Sequence, residues 1–301
     1  MEKENKMRGK RRRLRHCLLA CFTVMISGFS PSLGWADKPY FITYDHEMEE
    51  PGSLEVSLWP VVGFPQTGHG FLGAWTEFEY GAKGWWTTEF YLDGQSTRHE
   101  STIFTGYRWE NRFHPLMGDH RVNPVLYVEY ENINGADKDL IEVVNHDSVD
   151  DLAVPNGEAR RERQHEIEGK LILSSNFRGW NVSENFIAEK NLSNNPWEFG
   201  YAAGMSRPLR LEATSTPCYL CRENLTAGIE FYGGLGTRHD FGTKGTAHYA
   251  APLVAWNLQN GWSFRISPTV GLNKNSARAL LRFGVSYEFS GFGRHLRKLF
   301  R

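Results

Sequence analysis

The chain has 301 residues, and its 34 Lys+Arg and 35 Asp+Glu give a formal charge of −1. Residues 1–36 hold 8 of those basic and 2 of those acidic side chains, so the rest carries 26 Lys+Arg against 33 Asp+Glu, a charge of −7. An acidic chain of this kind is excluded as an ordinary phosphate-neutralising nucleic-acid binder, and no later stretch has the ~18 consecutive apolar residues of a membrane-crossing helix.

The first segment has three parts. Residues 1–16 are basic, 17–29 are apolar, and Gly34-Trp35-Ala36 is a small-x-small site. That is the layout of a secretory signal peptide, cleaved after Ala36. The run Leu18-Leu19-Ala20-Cys21 has the form of a lipoprotein box. Cleavage there would leave an apolar core far below the usual ~7–15 residues. Removal of the signal leaves two cysteines, Cys218 and Cys221. In an exported protein this pair is a disulfide candidate, with a metal or redox role as the other reading.

Residues 37–51 are expected to form a short arm ahead of the first strand. From residue 52 onward, alternating segments recur. They are 54–60, 72–81, 85–93, 101–110, 125–133, 165–173, 181–189, 197–207, 225–234, 247–257, 262–270 and 278–289. In a strand, alternate side chains point to opposite faces. Thus Leu126, Val128 and Tyr130 oppose Tyr127, Glu129 and Glu131. Likewise Phe283, Val285, Tyr287 and Phe289 oppose Arg282, Gly284, Ser286 and Glu288. The segments at 181 and 247 alternate poorly. About 10 residues with one apolar face is the length of a tilted membrane strand.

The links alternate in length as well. Residues 83–84, 178–180 and 259–261 are tight turns, whereas 134–164 is long and acidic. With the first strand starting on the periplasmic side, every tight turn falls there and the long loop falls outside, the asymmetry of an outer-membrane barrel. The links at 111–123 and 208–224 break the rule. Nine tryptophans (Trp59, Trp75, Trp85, Trp86, Trp109, Trp180, Trp197, Trp256 and Trp262) sit near strand ends, as in the aromatic girdles of such barrels. The predicted fold is all-β: a transmembrane antiparallel up-and-down barrel of about 12 strands, residues 52–289, preceded by a periplasmic arm and followed by a basic, solvated tail, 290–301.

The last strand carries Arg282-x-Gly284-x-x-Tyr287-x-Phe289. This resembles the terminal-strand recognition signal of bacterial outer-membrane β-barrels. The resemblance implies a Gram-negative outer membrane, its lipids as surroundings and the barrel assembly machinery as a partner. Here the final aromatic is followed by twelve further residues, so the signal is internal.

The inferred lumen face is acidic. It carries Glu55, Glu77, Glu79, Glu89, Glu110, Glu129, Glu131, Glu166, Glu168, Glu189, Glu198, Glu230 and Glu288 against Arg108, Lys170, Arg265, Arg278 and Arg282. Either a salt-bridged filled interior or a narrow channel for small polar or cationic solutes fits this imbalance. A second class of function rests on His99-Glu100-Ser101. It resembles the His-x-Ser pair of outer-membrane phospholipase A, which implies His99 as base and Ser101 as nucleophile in a lipid hydrolase. Thr102-Ile103 follows where that family has Asn-Gly, and no orienting residue is identified. A third is a structural or metal-handling barrel serving a periplasmic protein. For it, His46 and Met48 before the first strand and His114, Met117 and His120 in one link are candidate metal ligands, His with Met suiting copper and His with carboxylate zinc. No nucleotide-binding or metalloprotease motif occurs, and no cofactor is expected.

Overall fold

The computed structural model describes residues 39–138, 152–193, 195–212 and 218–299. The signal-peptide reading of residues 1–36 lies outside them. The twelve alternating segments are twelve strands: β1 Leu54–Phe64, β2 Phe71–Lys83, β3 Trp86–Thr97, β4 Thr102–Phe113, β5 Asn123–Asn134, β6 Arg163–Phe177, β7 Trp180–Asn191, β8 Trp197–Pro208, β9 Leu225–Thr237, β10 His248–Asn257, β11 Trp262–Gly271 and β12 Ala279–Phe289. Each pairs antiparallel with its sequence neighbour. β1 closes the barrel against β12, from Leu54↔Phe289 to Phe64↔Ala279.

The molecule is inside-out relative to a water-soluble barrel. Outward positions such as Leu58, Leu72, Phe90, Leu126, Val128, Phe186 and Phe283 are exposed. Inward positions such as Glu89, Glu129, Glu230 and Arg282 are buried. A continuous apolar outer surface of this extent is what a lipid-facing barrel presents.

The start of β1, the end of β12 and five links share one end. Residues 84–85 and 178–179 are two-residue turns at this end. Arg178 (φ 50°) and Gly179 (φ 79°) are both left-handed, the two-residue geometry that matches strand twist. The link 209–224 contains the Cys218–Cys221 disulfide, with Cα atoms 5.4 Å apart. At the opposite end, residues 135–162 form the longest link and include the short helix α1, Asn156–Ala159.

Two expectations change. The arm is not outside the barrel: residues 39–50 lie against inward-facing side chains of the wall, as described below. Trp59 and Trp75 are not girdle residues. They face inward, are buried and stack with centroids 6.5 Å apart. Their positions on β1 and β2 are directly opposite one another, so one register choice turns both rings into the lumen. Gly284 makes this possible, since a Cβ there would stand 2.4 Å from the Trp59 ring. The basic tail keeps exposed side chains such as Arg294, His295 and Lys298, and its residues Phe292–Leu299 form helix α2. It is tied to the barrel rim by Gly293 N–H donating to Gly52 O at 2.8 Å and Gly291 N–H to Ser53 Oγ at 3.1 Å.

Candidate functional site: a carboxylate ramp in the lumen

Strand register places glutamates side by side. Glu288 of β12 is directly opposite Glu55 of β1, which is opposite Glu79 of β2. The row continues through Glu89, Glu110 and Glu129 on β3, β4 and β5. It ends with Glu168, Glu189 and Glu198 on β6, β7 and β8. Nine adjacent strands therefore each contribute one carboxylate to a single row. Adjacent strands lie about 4.8 Å apart, and because barrel strands tilt, a row perpendicular to them climbs the wall. Glu288 is one residue from the terminal end of β12, and Glu198 is one residue from the opposite end of β8. The row is a ramp joining the two mouths. A cavity of about 200 Å³ follows it, lined by seven of the nine: Glu55, Glu79, Glu89, Glu129, Glu168, Glu189 and Glu198.

Arg265 and Arg282 line the same cavity, and Arg112, Arg108 and Lys170 contact the ramp in its middle. Arg112, fully buried, contacts Glu79 and Glu89 and lies 3.1 Å from Glu110. Arg108 bonds Asp93 at 3.0 Å, lies 3.6 Å from Glu129 and covers the Tyr91 ring at 4.2 Å. Lys170 reaches Glu168 at 2.8 Å and lies 4.1 Å above the Tyr127 ring. The Tyr91 hydroxyl donates to Glu89 at 2.5 Å and to Glu110 at 2.7 Å. Among the described residues, no Lys or Arg lies within ion-pair distance of Glu131, Glu166 or Glu189.

Residues 39–50 enter this space from the terminal end and return to it. Tyr40 OH donates to Asn181 Oδ1 at 2.8 Å, and the Tyr40 ring occupies the place where a Cβ at Gly204 would be. The carboxylate of Glu230 accepts three successive backbone N–H groups, from Phe41 (2.9 Å), Ile42 (2.9 Å) and Thr43 (2.7 Å). Asn185 pairs with both backbone groups of Tyr44, accepting at 2.7 Å and donating at 2.8 Å. The Tyr44 hydroxyl donates to Glu110 at 2.9 Å, and Arg112 Nη1 donates to Glu47 O at 3.2 Å. An unpaired backbone N–H in a buried lumen is costly. One carboxylate on β9 and one amide on β7 thus take the place of a missing partner strand.

The long outer link closes part of the other mouth. Lys138 N–H donates to Gln95 Oε1 at 3.0 Å, Asn156 Oδ1 accepts from Gln95 and Thr97 at 3.1 Å each, and Leu152 packs with Trp59, Val61 and Phe71. These contacts lie on the β1–β3 side. The ramp ends on the β6–β8 side, where Gln164, Asn191 and Asn195 line the cavity with Glu198.

The sequence-derived lumen residues are distributed as follows. Glu77, Glu79, Glu89, Glu129, Glu131, Glu230 and Arg282 are buried in the interior, and Glu288 is half-buried at the mouth. Arg278 is not in the lumen. It precedes β12, is exposed, and donates to Gln66 O at 3.0 Å in the outer link. Arg112, expected within the link at 111–123, is a lumen residue. β4 runs three residues further, and the spacing Arg108, Glu110, Arg112 already had the strand period. His99 and Ser101 are not on a strand. His99 has φ 63° in the turn between β3 and β4, where its ring meets His69, and Ser101 O accepts from Thr97 N–H. A left-handed residue between strands breaks the shared face that the pair needed, and among the described residues no hydrogen bond joins them. Of the metal candidates, His46 and His114 meet at the terminal end, rings 6.1 Å apart, with Asp119 Oδ1 3.7 Å from His46 Nε2. His120 bonds the Met117 carbonyl at 3.3 Å. Met48 packs on Val125, Tyr127 and Ile172, and the Met117 side chain is exposed. The two thioethers are therefore separated, and no His–Met set forms.

No protein-family model and no curated protein sequence matches the chain. Solved structures do. The COG4313 outer membrane channel from Pseudomonas putida F1 superposes with a TM-score of 0.54 at 9% identity, covering 83% of this chain and all of that one. The NanC porin gives 0.48 at 11% identity, over 78% and 98% of the two chains. LpxR from Salmonella typhimurium gives 0.41 at 10% identity, over 78% and 99%. At these identities the likeness is one of fold: a closed twelve-stranded antiparallel barrel, of the kind found in outer membranes.

Proposed function

We propose that the protein is an outer-membrane channel for small cationic or polar solutes, with the glutamate ramp as its path and residues 39–50 as the element that narrows it. The observation that carries this reading is the unbroken row from Glu288 to Glu198. A structural ion-pair network would match signs. This row instead sets nine carboxylates beside one another, and Arg108, Arg112 and Lys170 contact it in its middle. Adjacent like charges destabilise a sheet pair, and confined carboxylates raise the local cation concentration. The exported location follows from the signal-like N-terminus and the lipid-facing exterior. Delivery by the assembly machinery would use the β12 signal, in which Gly284 also accommodates Trp59.

The test is a planar-bilayer recording of the purified full-length chain in asymmetric salt. The reversal potential should report cation preference, and the preference should fade toward 1 M salt, where the Debye length is about 3 Å. Anion preference would overturn the reading.

One observation favours a second reading. The inner segment fills much of the lumen, as in a structural barrel serving a periplasmic partner. That reading predicts no conductance even after the segment is released.

A further inference from the structure

The chain leaves β12 at Phe289 and forms α2 on the lipid side of the rim rather than across the lumen. Gly293 marks the place, since a Cβ there would stand 2.8 Å from the Tyr80 hydroxyl. Tyr80 has the outward parity of Leu72 and Phe78 on β2, both exposed on the lipid-facing wall. The outward residues that end β12, Tyr287 and Phe289, have ring centroids 4.7 Å apart, and the Trp262 ring stands 4.9 Å from Tyr287. Trp and Tyr mark the depth of the membrane–water interface. A helix that starts just past this aromatic cluster begins at headgroup level.

The sequence of α2 suits that depth. Phe292, Leu296 and Leu299 recur at i, i+4 and i+7, one narrow stripe of a 3.6-residue helix. Apart from Gly293, the other positions are Arg294, His295, Arg297 and Lys298, with no Asp or Glu among them. Arg294, His295, Leu296 and Lys298 are exposed. Among the described residues, no carboxylate lies within ion-pair distance of Arg294 or Lys298. From residue 37 onward the chain has 26 Lys+Arg against 33 Asp+Glu, so this basic run is a local reversal of sign.

We infer that α2 is an interfacial anchor that binds the anionic phospholipid headgroups of the leaflet at the terminal end. An apolar stripe beside a cationic face fits the boundary between acyl chains and phosphates. Phe292 and Leu296 enter the acyl boundary, and Arg294 and Lys298 meet phosphate oxygens. Each Lys or Arg near an anionic surface strengthens binding by about fivefold. The barrel already holds the protein in the membrane, so the effect of α2 is local. Gly291 and Gly293 bond Ser53 and Gly52 beside the β1–β12 seam. A helix held by lipid therefore secures the closing strands at that end. The inference needs only the lipid-facing wall and is independent of whether the lumen conducts.

The experiment reconstitutes the purified full-length chain in nanodiscs of phosphatidylcholine, with or without added phosphatidylglycerol. Limited trypsin digestion of the tail is followed by mass spectrometry. Trypsin cuts after Arg and Lys, so Arg294, Arg297 and Lys298 report on the helix directly. Tail removal should be about tenfold slower or more with phosphatidylglycerol present. The difference should vanish toward 1 M salt, where the Debye length is about 3 Å. Arg294→Gln/Lys298→Gln keeps Arg297 as a cleavage site and should lose most of the protection, as should Leu296→Glu. Lys83→Gln, another exposed cation at the same end, should keep it. Heat-modifiable migration checks that each variant folds. Inorganic phosphate added to phosphatidylcholine discs should protect nothing, and protection by it would replace the membrane surface with a free-anion site. Equal digestion in the two discs, or protection indifferent to Arg294→Gln/Lys298→Gln, would overturn the inference and leave the helix to a protein partner.

Discussion

Arg112 is the side chain on which the acidic interior depends most. It is fully buried, its guanidinium serves Glu79, Glu89 and Glu110, and it also holds the inner segment through Glu47 O. Removing one partner from a buried ion pair costs about 3–5 kcal/mol, because the remaining charges stay buried without compensation. Arg112→Ala should therefore destabilise the barrel by at least that amount in urea unfolding. Arg112→Lys should recover only part, since an ammonium cannot reproduce the planar fork. A loss below 1 kcal/mol would mean that water or ions already neutralise these carboxylates. His114 is the residue whose behaviour should depend on pH. Burial, with His46 and His120 nearby, lowers its pKa below 6.5. The folded state thus prefers the neutral ring. No penalty exists above about pH 6.5, one grows as pH falls through that value, and it levels off below the lowered folded pKa. Asp119 and Glu47, next to His46, are the acidic groups that share this corner. Acidification to about pH 5 should make residues 45–49 more accessible to protease, and His114→Gln should reduce the effect. An identical pH response in the variant would remove His114 from the account.

At the scale of elements, the strands were legible and the inner segment was not, for one physical reason. A strand in a barrel wall meets two different solvents, so period-two alternation is imprinted on its own residues. All twelve segments show it, including 181–189 and 247–257, whose patterns are weak because Glu184 faces out and Ile187 faces in on one, and Ala251, Leu253 and Ala255 face in on the other. Residues 39–50 touch the wall on several sides and have no single face. Their partners, Glu230 and Asn185, are about 140 to 190 positions away in sequence, and nothing local announces them. At Arg112 the alternation gives no clear strand end, and the spacing of His99 and Ser101 imitates a strand although a left-handed turn interrupts it. The element-scale prediction concerns Glu230. Glu230→Gln removes the charge that three backbone N–H groups share, and charge-assisted bonds are roughly twice as strong as neutral ones. Conductance should rise in the variant as the segment loosens, while heat-modifiable folding persists because barrel closure starts at Leu54. Unchanged conductance and unchanged protease access to residues 39–50 would show that the segment is not held there by Glu230.

For the whole molecule, composition identified an acidic interior but not its order. Each of the nine ramp glutamates was readable singly as an inward residue. Their alignment depends on strand register, and register is set by turn lengths and bulges in every hairpin at once. The result is that charges which look scattered along the chain become one continuous path in space, from Glu288 at the terminal end to Glu198 at the other. The most direct test of that path is the reversal potential of a variant with Glu189 and Glu198 changed to Gln, compared with one carrying Glu77→Gln. Glu77 is buried in the same lumen but lies off the row, opposite Ser57 and Tyr91. The account predicts that the ramp variant loses most of its cation preference and the Glu77 variant keeps it. Equal losses in the two, or selectivity untouched by the ramp variant, would contradict it.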